Sequence, residues 1–202
     1  VKDHTSPDQA PSQVVVEPAG VQPDKPDAEI DVAGLRASWA KMTDTHEFFG
    51  MLRRFSVSRT QALRLAGAEY AQPADPGAFE KLLQASAAEK LDIMIFVGNP
   101  GLIQIYSGPV HKVVPMGSWV NVLDPDFDLH VRGDKIDRAF VVRKPTADGV
   151  VTSLELYAAN GDQIAHVVGK RKPGQTENEA WRRVVEAFGA RANAASAASA
   201  AS

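Results

Sequence analysis

A chain of 202 residues that is 44% apolar, 23% charged and 7% aromatic has ordinary globular composition, which excludes a collagenous, mucin-like or wholly disordered protein. It contains no cysteine, so disulfide scaffolds, zinc fingers, iron–sulfur sites and thiol nucleophiles are ruled out. With 22 basic against 25 acidic residues and a formal charge of −3, the balance does not favour bulk nucleic-acid or membrane-surface binding, and no run approaches the roughly 18 apolar residues of a membrane span.

Residues 1–30 carry Pro7, Pro11, Pro18, Pro23 and Pro26 among Asp, Gln and Ser, and read as a flexible linker that buries too little to offset ordering entropy. Residues 191–202 are almost all Ala and Ser and read as a disordered tail. The stretch between them, 31–190, is about one domain's worth of chain. Val32, Leu35, Trp39 and Met42 recur at helical spacing. Asp44 with Glu47 three residues later makes a capping-box pattern, which predicts a second helix starting at Asp44 with Phe48, Leu52 and Phe55 as its apolar stripe. Ser58 caps a third, short helix that carries Ala62, Leu63 and Leu65 and stops at Gly67. A fourth runs from about Pro76 to Glu89 over Phe79, Leu82 and Leu83.

From Leu91 the apolar period becomes two. Ile93, Ile95 and Val97 alternate with Met94 and Phe96, a turn follows at 98–101, and Ile103 and Ile105 then alternate with Gln104 and Tyr106. Asp148-Gly149 separates strands at 140–143 and 151–156, and Asn160-Gly161 separates 154–157 from 164–168; both dipeptides favour the positive φ of tight hairpin turns. Thr176 with Glu179 predicts the cap of a last helix through Trp181, Val184, Val185 and Phe188. Helices, then a long antiparallel meander, then one helix define an α+β domain and not the alternation of a Rossmann fold or TIM barrel. No secretory signal peptide is visible.

Few residues suggest chemistry. With Asp44 as cap, His46 sits in the first turn of a helix, where extra positive charge is disfavoured and a neutral, metal-binding imidazole is favoured. Gly50, one turn on, leaves room for a flat ligand against the backbone. The same pattern also suits a surface histidine beside a helix start. Asp124, Asp126 and Asp128 suggest a calcium loop, but its sixth and twelfth positions hold Leu129 and Lys135 instead of Gly and Glu. Lys144, Lys170, Arg171 and Lys172 stand at strand ends, either as carboxylate or phosphate partners or as a solvated rim. The helices at 44–55 and 59–66 also fit a helix-turn-helix DNA-binding regulator, with Arg59, Thr60, Gln61 and Arg64 on a recognition helix; the acidic net charge and the long sheet argue against it. His4 lies in the linker, and His130 reads as a strand histidine. No GxSxG, Walker, HExxH or GxGxxG pattern occurs.

Five segments in order resemble one family: MTDTHEFF (42–49), GNPGLIQIYSG (98–108), WVNVLDPDFDLHV (119–131), VRKPTADGVVTSLEL (142–156) and GKRKPG (169–174). They are similar to the bacterial cytoplasmic haemin-transport or haemin-degrading factors of the HmuS/HemS type, over about 31–190. The resemblance implies the C-terminal half of a tandem protein, with Val1–Ser6 as the tail of the first half, and a large antiparallel sheet flanked by helices. It implies haem as ligand, with His46 as axial ligand to the iron, Phe96 near the porphyrin, and Lys144 and Arg171 near the propionates. Where family members often carry polar residues this chain has His166 and Val168, and His166 is retained as a further haem-contacting candidate. The distal arginine of the family belongs to its first half. The implied role is accepting imported haem and passing it to a degrading enzyme, with degradation in place as the alternative. The implied partners are a haem importer or a haem oxygenase, and a solitary half could dimerise through its unpaired sheet edges.

Overall fold

The computed structural model describes residues 23–99 and 101–200, of which 190–200 are described as backbone only. The leading helices are α1 (Val32–Ala40), α2 (Glu47–Phe55) and α3 (Arg59–Leu65), followed by strand β1 (Ala71–Ala74) and helix α4 (Ala78–Ala88). Eight strands follow: β2 (Asp92–Gly98), β3 (Ile103–Pro109), β4 (Val113–Met116), β5 (Trp119–Asp124), β6 (Phe127–Arg132), β7 (Arg138–Thr146), β8 (Gly149–Tyr157) and β9 (Gln163–Gly169). Helix α5 (Glu179–Ala200) closes the order. The α+β architecture expected from the sequence is present. The strands divide into a six-stranded sheet, β1-β7-β8-β9-β2-β3, and a three-stranded sheet, β4-β5-β6, in which every pairing is antiparallel.

The larger sheet is used on both faces. One face presents Ile93, Ile95, Ala139, Val141, Leu154, Leu156, Ala165 and Val167 to α4, α5 and the small sheet, forming the main core with Phe79, Leu82, Leu83, Trp181 and Val185. Trp181 anchors α5: its indole N–H donates to the Thr152 carbonyl at 3.0 Å, and its ring lies against Gly169, where a Cβ would come within 2.5 Å of it. The opposite face is covered only in part. There Phe140, Val142 and Tyr157 pack under α1–α3 with Leu35, Trp39, Phe48 and Leu63. Trp39 bonds the Arg143 carbonyl at 2.9 Å and tethers α1 to β7.

The hairpin glycines take the conformation their turns need, with φ of 106° at Gly149 and 88° at Gly161. Ser58 caps α3 as expected, accepting from the Gln61 N–H. Two helix starts differ from the sequence reading. Helix α2 begins at Glu47 and not Asp44, because the Asp44 carboxylate closes a tight turn onto the His46 N–H while Glu47 reaches back to the Thr43 N–H and hydroxyl. Helix α5 is capped by Asn178, which accepts from the Ala180 and Trp181 N–H groups, and not by Thr176. Strand β1, with a proline inside it, was not legible; it is an edge strand, where a missing N–H is tolerated.

The boundaries also shift. Residues 1–22 of the linker reading lie outside the described residues. Within 23–30, however, Ile30 is buried and Asp24, Lys25 and Asp27 bond Gln61 or Arg64, so packing reaches into the stretch read as linker. The α5 backbone continues to Ala200, through the Ala/Ser stretch read as a disordered tail, in keeping with the high helix propensity of alanine. Gly169→Ala should cost about 1–3 kcal/mol through the clash with Trp181, read as a lowered urea midpoint at unchanged slope.

Candidate functional site

The uncovered part of the second sheet face forms the candidate site. The cross-strand register aligns Phe140, Glu155, His166, Phe96 and Ile105 in one row over β7, β8, β9, β2 and β3. Exposure rises along it, from the fully buried Glu155 under the helices to Ile105, which is 54% exposed on the edge strand. His166 and Phe96 stack with centroids 4.3 Å apart and planes 6° from parallel. That separation is close to the strand spacing, so the ring normals run across the strands and the ring edges point away from the sheet. Ile103 and Leu102, both more than half exposed, extend this apolar strip.

Beneath the helices lies a polar cluster centred on Glu155. Its carboxylate accepts from Lys144, Ser153, Tyr157 and Gln163, and the Arg59 guanidinium lies 3.5 Å away. Both cations also pack on α2: Lys144 sits 4.5 Å from the Phe48 ring centroid, and Arg59 sits 5.1 Å from those of Phe48 and Phe49. Burial opposes ionisation of Glu155, but Lys144 and Arg59 outweigh it and hold the acid well below the usual carboxylate range. Burial lowers the His166 imidazole to about 4, aided by the charges of Lys144 and Arg59 and opposed by Glu155, so the ring is neutral at neutral pH.

His46 is the residue that precedes α2, at its N-terminal end. Its side chain is 91% exposed, and its Nδ1 lies 2.6 Å from Asp44 Oδ1. Because a carboxylate only accepts, this bond places a proton on Nδ1, and Nε2 is the ring nitrogen left for a ligand. The His46 backbone N–H and then its ring, both donating to Asp44, hold that carboxyl below its ordinary value, and the Arg171 charge acts in the same direction. Arg171, just past β9, contacts Asp148 and the Gln175 carbonyl at 3.3 and 3.2 Å. The Ala147 N–H donates to the Thr43 carbonyl at 2.8 Å, fastening the turn before α2 to the β7–β8 hairpin.

The five residues singled out from the sequence therefore fall in three places. Phe96 and His166 form the stacked pair, His46 and Arg171 share the electrostatic neighbourhood of Asp44, and Lys144 is buried and ion-paired with Glu155. Sequence reasoning missed Glu155 and Arg59 as parts of this cluster. An acid flanked by Leu154 and Leu156 in a strand with no other charge was the available signal for Glu155. Gly50 faces open space, with nothing within 4 Å of an added Cβ.

The recognition-helix reading fails on the same geometry. Thr60 and Gln61 are buried, Gln61 donates to the Lys25 carbonyl and Asp27, Arg64 pairs with Asp27, and Arg59 bonds Gln163 at 2.7 Å, so none of the four is left to meet bases. Asp124 is likewise structural, accepting from the His111 and Lys112 N–H groups at 2.9 and 2.7 Å. Among the described residues there is no group of three or more His, Asp or Glu that could hold a bare metal ion, and no helix long and apolar enough to cross a membrane.

A family model described as the haemin-degrading HemS.ChuX domain matches residues 56–188. The chain belongs to this HemS/ChuX family. It is 41% identical over 168 residues to the hemin transport protein HmuS of Yersinia pestis, a match covering 83% of this chain and 47% of that protein. The holo structure of the heme-binding protein PhuS from Pseudomonas aeruginosa superposes with TM-score 0.87 at 42% identity, covering 93% of this chain and 54% of that one. The structure of ChuS, described as an E. coli heme oxygenase, gives TM-score 0.76 at 41% identity, covering 79% and 49%. The chain thus spans about half the length of these HemS-family relatives. The matched segment contains Phe96, Lys144, His166 and Arg171, while His46 lies ahead of it.

The neutral His166 has a consequence for stability. The unfolded imidazole takes up its proton near 6.5 and the folded one only near 4, so this residue contributes instability that grows as pH falls between those values. His166→Gln removes that contribution. Its urea midpoint should fall less than the parent's between pH 7 and 5, whereas equal slopes would show that His166 is not the group responsible.

Proposed function

We propose that this chain is a cytoplasmic haem-binding domain of a bacterial haem-uptake system that accepts imported haem and hands it to a degrading enzyme. The observation that carries the reading is the His46–Asp44 bond, which engages Nδ1 and leaves Nε2 as the ring nitrogen not bound to Asp44, on a side chain 91% exposed. Belonging to the HemS/ChuX family and likeness to proteins described as hemin transport, heme-binding and heme oxygenase proteins support it.

The residues present suit haem. Haem, when bound, supplies an iron that takes an imidazole nitrogen and can exchange it. His46 offers that nitrogen through Nε2. Phe96, His166 and Ile105 offer apolar surface for a macrocycle, with ring edges directed away from the sheet. Arg171 holds Asp148 only at 3.3 Å and is available to a ligand carboxylate by exchange of that contact. Lys144 contributes differently from a surface lysine: its ammonium is committed to Glu155, so with Arg59 it supplies fixed positive charge from below the site. The buried Lys144 and the partly buried Arg59 against one carboxylate leave this cluster net positive, which suits an anionic ligand.

Handover is favoured over degradation because a ligand exposed on one helix end is readily exchanged. Degradation in place would need an electron source and an open iron position. A haem importer as donor, a haem oxygenase as acceptor, and self-association through β3 belong to the same proposal. The test is a hemin titration followed by visible absorbance, on the parent and on His46→Ala. The expected result is saturable one-to-one binding with a sharp Soret band, and at least a tenfold loss of affinity in the variant. Equal binding by both proteins, or none by either, overturns the assignment. Gly50→Ala should stabilise the free protein by about 1 kcal/mol in urea while weakening hemin binding, because its Cβ enters the space beside His46.

A further inference from the structure

The turn that precedes α2 uses one carboxylate oxygen twice. Asp44 Oδ1 accepts from the His46 backbone N–H at 2.8 Å and from the His46 ring Nδ1 at 2.6 Å. The first bond alone would close the turn. The second is not needed for folding, since an exposed imidazole is well solvated by water. The two together fix the ring: the backbone bond sets where the carboxylate lies, and the ring bond sets the imidazole's orientation and proton position. The turn itself is tied to the rest of the molecule by the Ala147–Thr43 bond and by Glu47 reaching back to Thr43. The turn is therefore anchored at Thr43, and within it the Asp44 carboxylate, on a side chain 59% exposed, is held by its bonds to His46.

We infer that Asp44 is a positioning residue for His46, and that its carboxylate selects the Nδ1–H form of the ring and makes Nε2 a stronger donor to iron. The inference rests on the reading of His46 as the haem ligand. The physical reason is general. A histidine that donates its remote N–H to a carboxylate gains partial imidazolate character, so its other nitrogen becomes more basic, and removing such a partner typically weakens metal binding 10- to 100-fold. The same carboxylate favours the more positively charged iron state.

Two variants separate the roles of the two bonds. Asp44→Asn keeps an acceptor oxygen for both N–H groups but removes the charge; Asp44→Ala removes the acceptor. In the haem-free parent at a pH alkaline enough to keep the imidazole neutral, nitrogen-15 NMR of His46 should show the proton on Nδ1, and in Asp44→Ala a mixture of both tautomers. That measurement does not depend on haem. A parent ring with Nδ1 unprotonated overturns the inference whatever hemin does. With hemin, Asp44→Ala should bind 10- to 100-fold more weakly. Asp44→Asn, folded like the parent by circular dichroism, should show a lower iron–histidine stretching frequency in the ferrous state and a higher midpoint potential. A merely structural aspartate would leave the stretch and the potential of Asp44→Asn unchanged, and that outcome also overturns the inference. If instead His46→Ala binds hemin like the parent while NMR shows the Nδ1–H form, the Asp44–His46 pairing is correct, the haem-ligand reading has failed, and Asp44's role toward iron falls with it.

Discussion

The carboxylate of Glu155, fully buried between the sheet and the leading helices, ties the two halves of the site together. An ionised acid in that position costs several kcal/mol of desolvation unless its oxygens are satisfied. Four hydrogen bonds and a nearby guanidinium meet that demand. The cations that meet it come from different elements, Lys144 from β7 and Arg59 from α3, and both lie over the Phe48 ring of α2. Loss of Lys144 would leave the buried carboxylate with only the more distant guanidinium, and because both cations contact the Phe48 ring the cluster joins α2 to the sheet. His46 inherits its place from that constraint, since it is the residue on which α2 starts.

The second determinant is the unequal covering of the two sheet faces. The face toward α4, α5 and the small sheet is closed and holds the larger core. The other face is closed only where α1–α3 reach, over β7 and β8. Along the row from Glu155 through His166 and Phe96 to Ile105 the surface passes from buried charge to stacked rings to exposed aliphatic side chains. A contiguous apolar strip of this kind on a sheet edge is a natural place for a ligand or a partner to bind.

Local chemistry was legible wherever a residue's role is set by its neighbours in sequence. The hairpin glycines, the Ser58 cap and the strand alternation at 93–97 are of this kind, because turn geometry and side-chain period act over a few residues. The cap of α2 was legible in kind but not in position. Asp44 and Glu47 both offer carboxylates to the few N–H groups of this turn, and in the structure Asp44 takes that of His46 while Glu47 takes that of Thr43. The same ambiguity let Arg59, Thr60 and Gln61 resemble a recognition helix, since nothing local reveals that Asp27 and Gln163 lie against them.

By itself the sequence determined the α+β order, the absence of cysteine chemistry and, through the resemblance of its segments, the family and the candidates His46, Phe96, Lys144, Arg171 and His166. Tertiary structure decided what those candidates can do. It buried Lys144 against Glu155, stacked His166 on Phe96, and gave His46 a carboxylate partner that leaves Nε2 free. The Phe96–His166 stack joins residues far apart in the chain and depends on strand register, which local sequence patterns do not encode, whereas the Asp44–His46 bond spans one turn and needed the tertiary structure only to set the side-chain geometry.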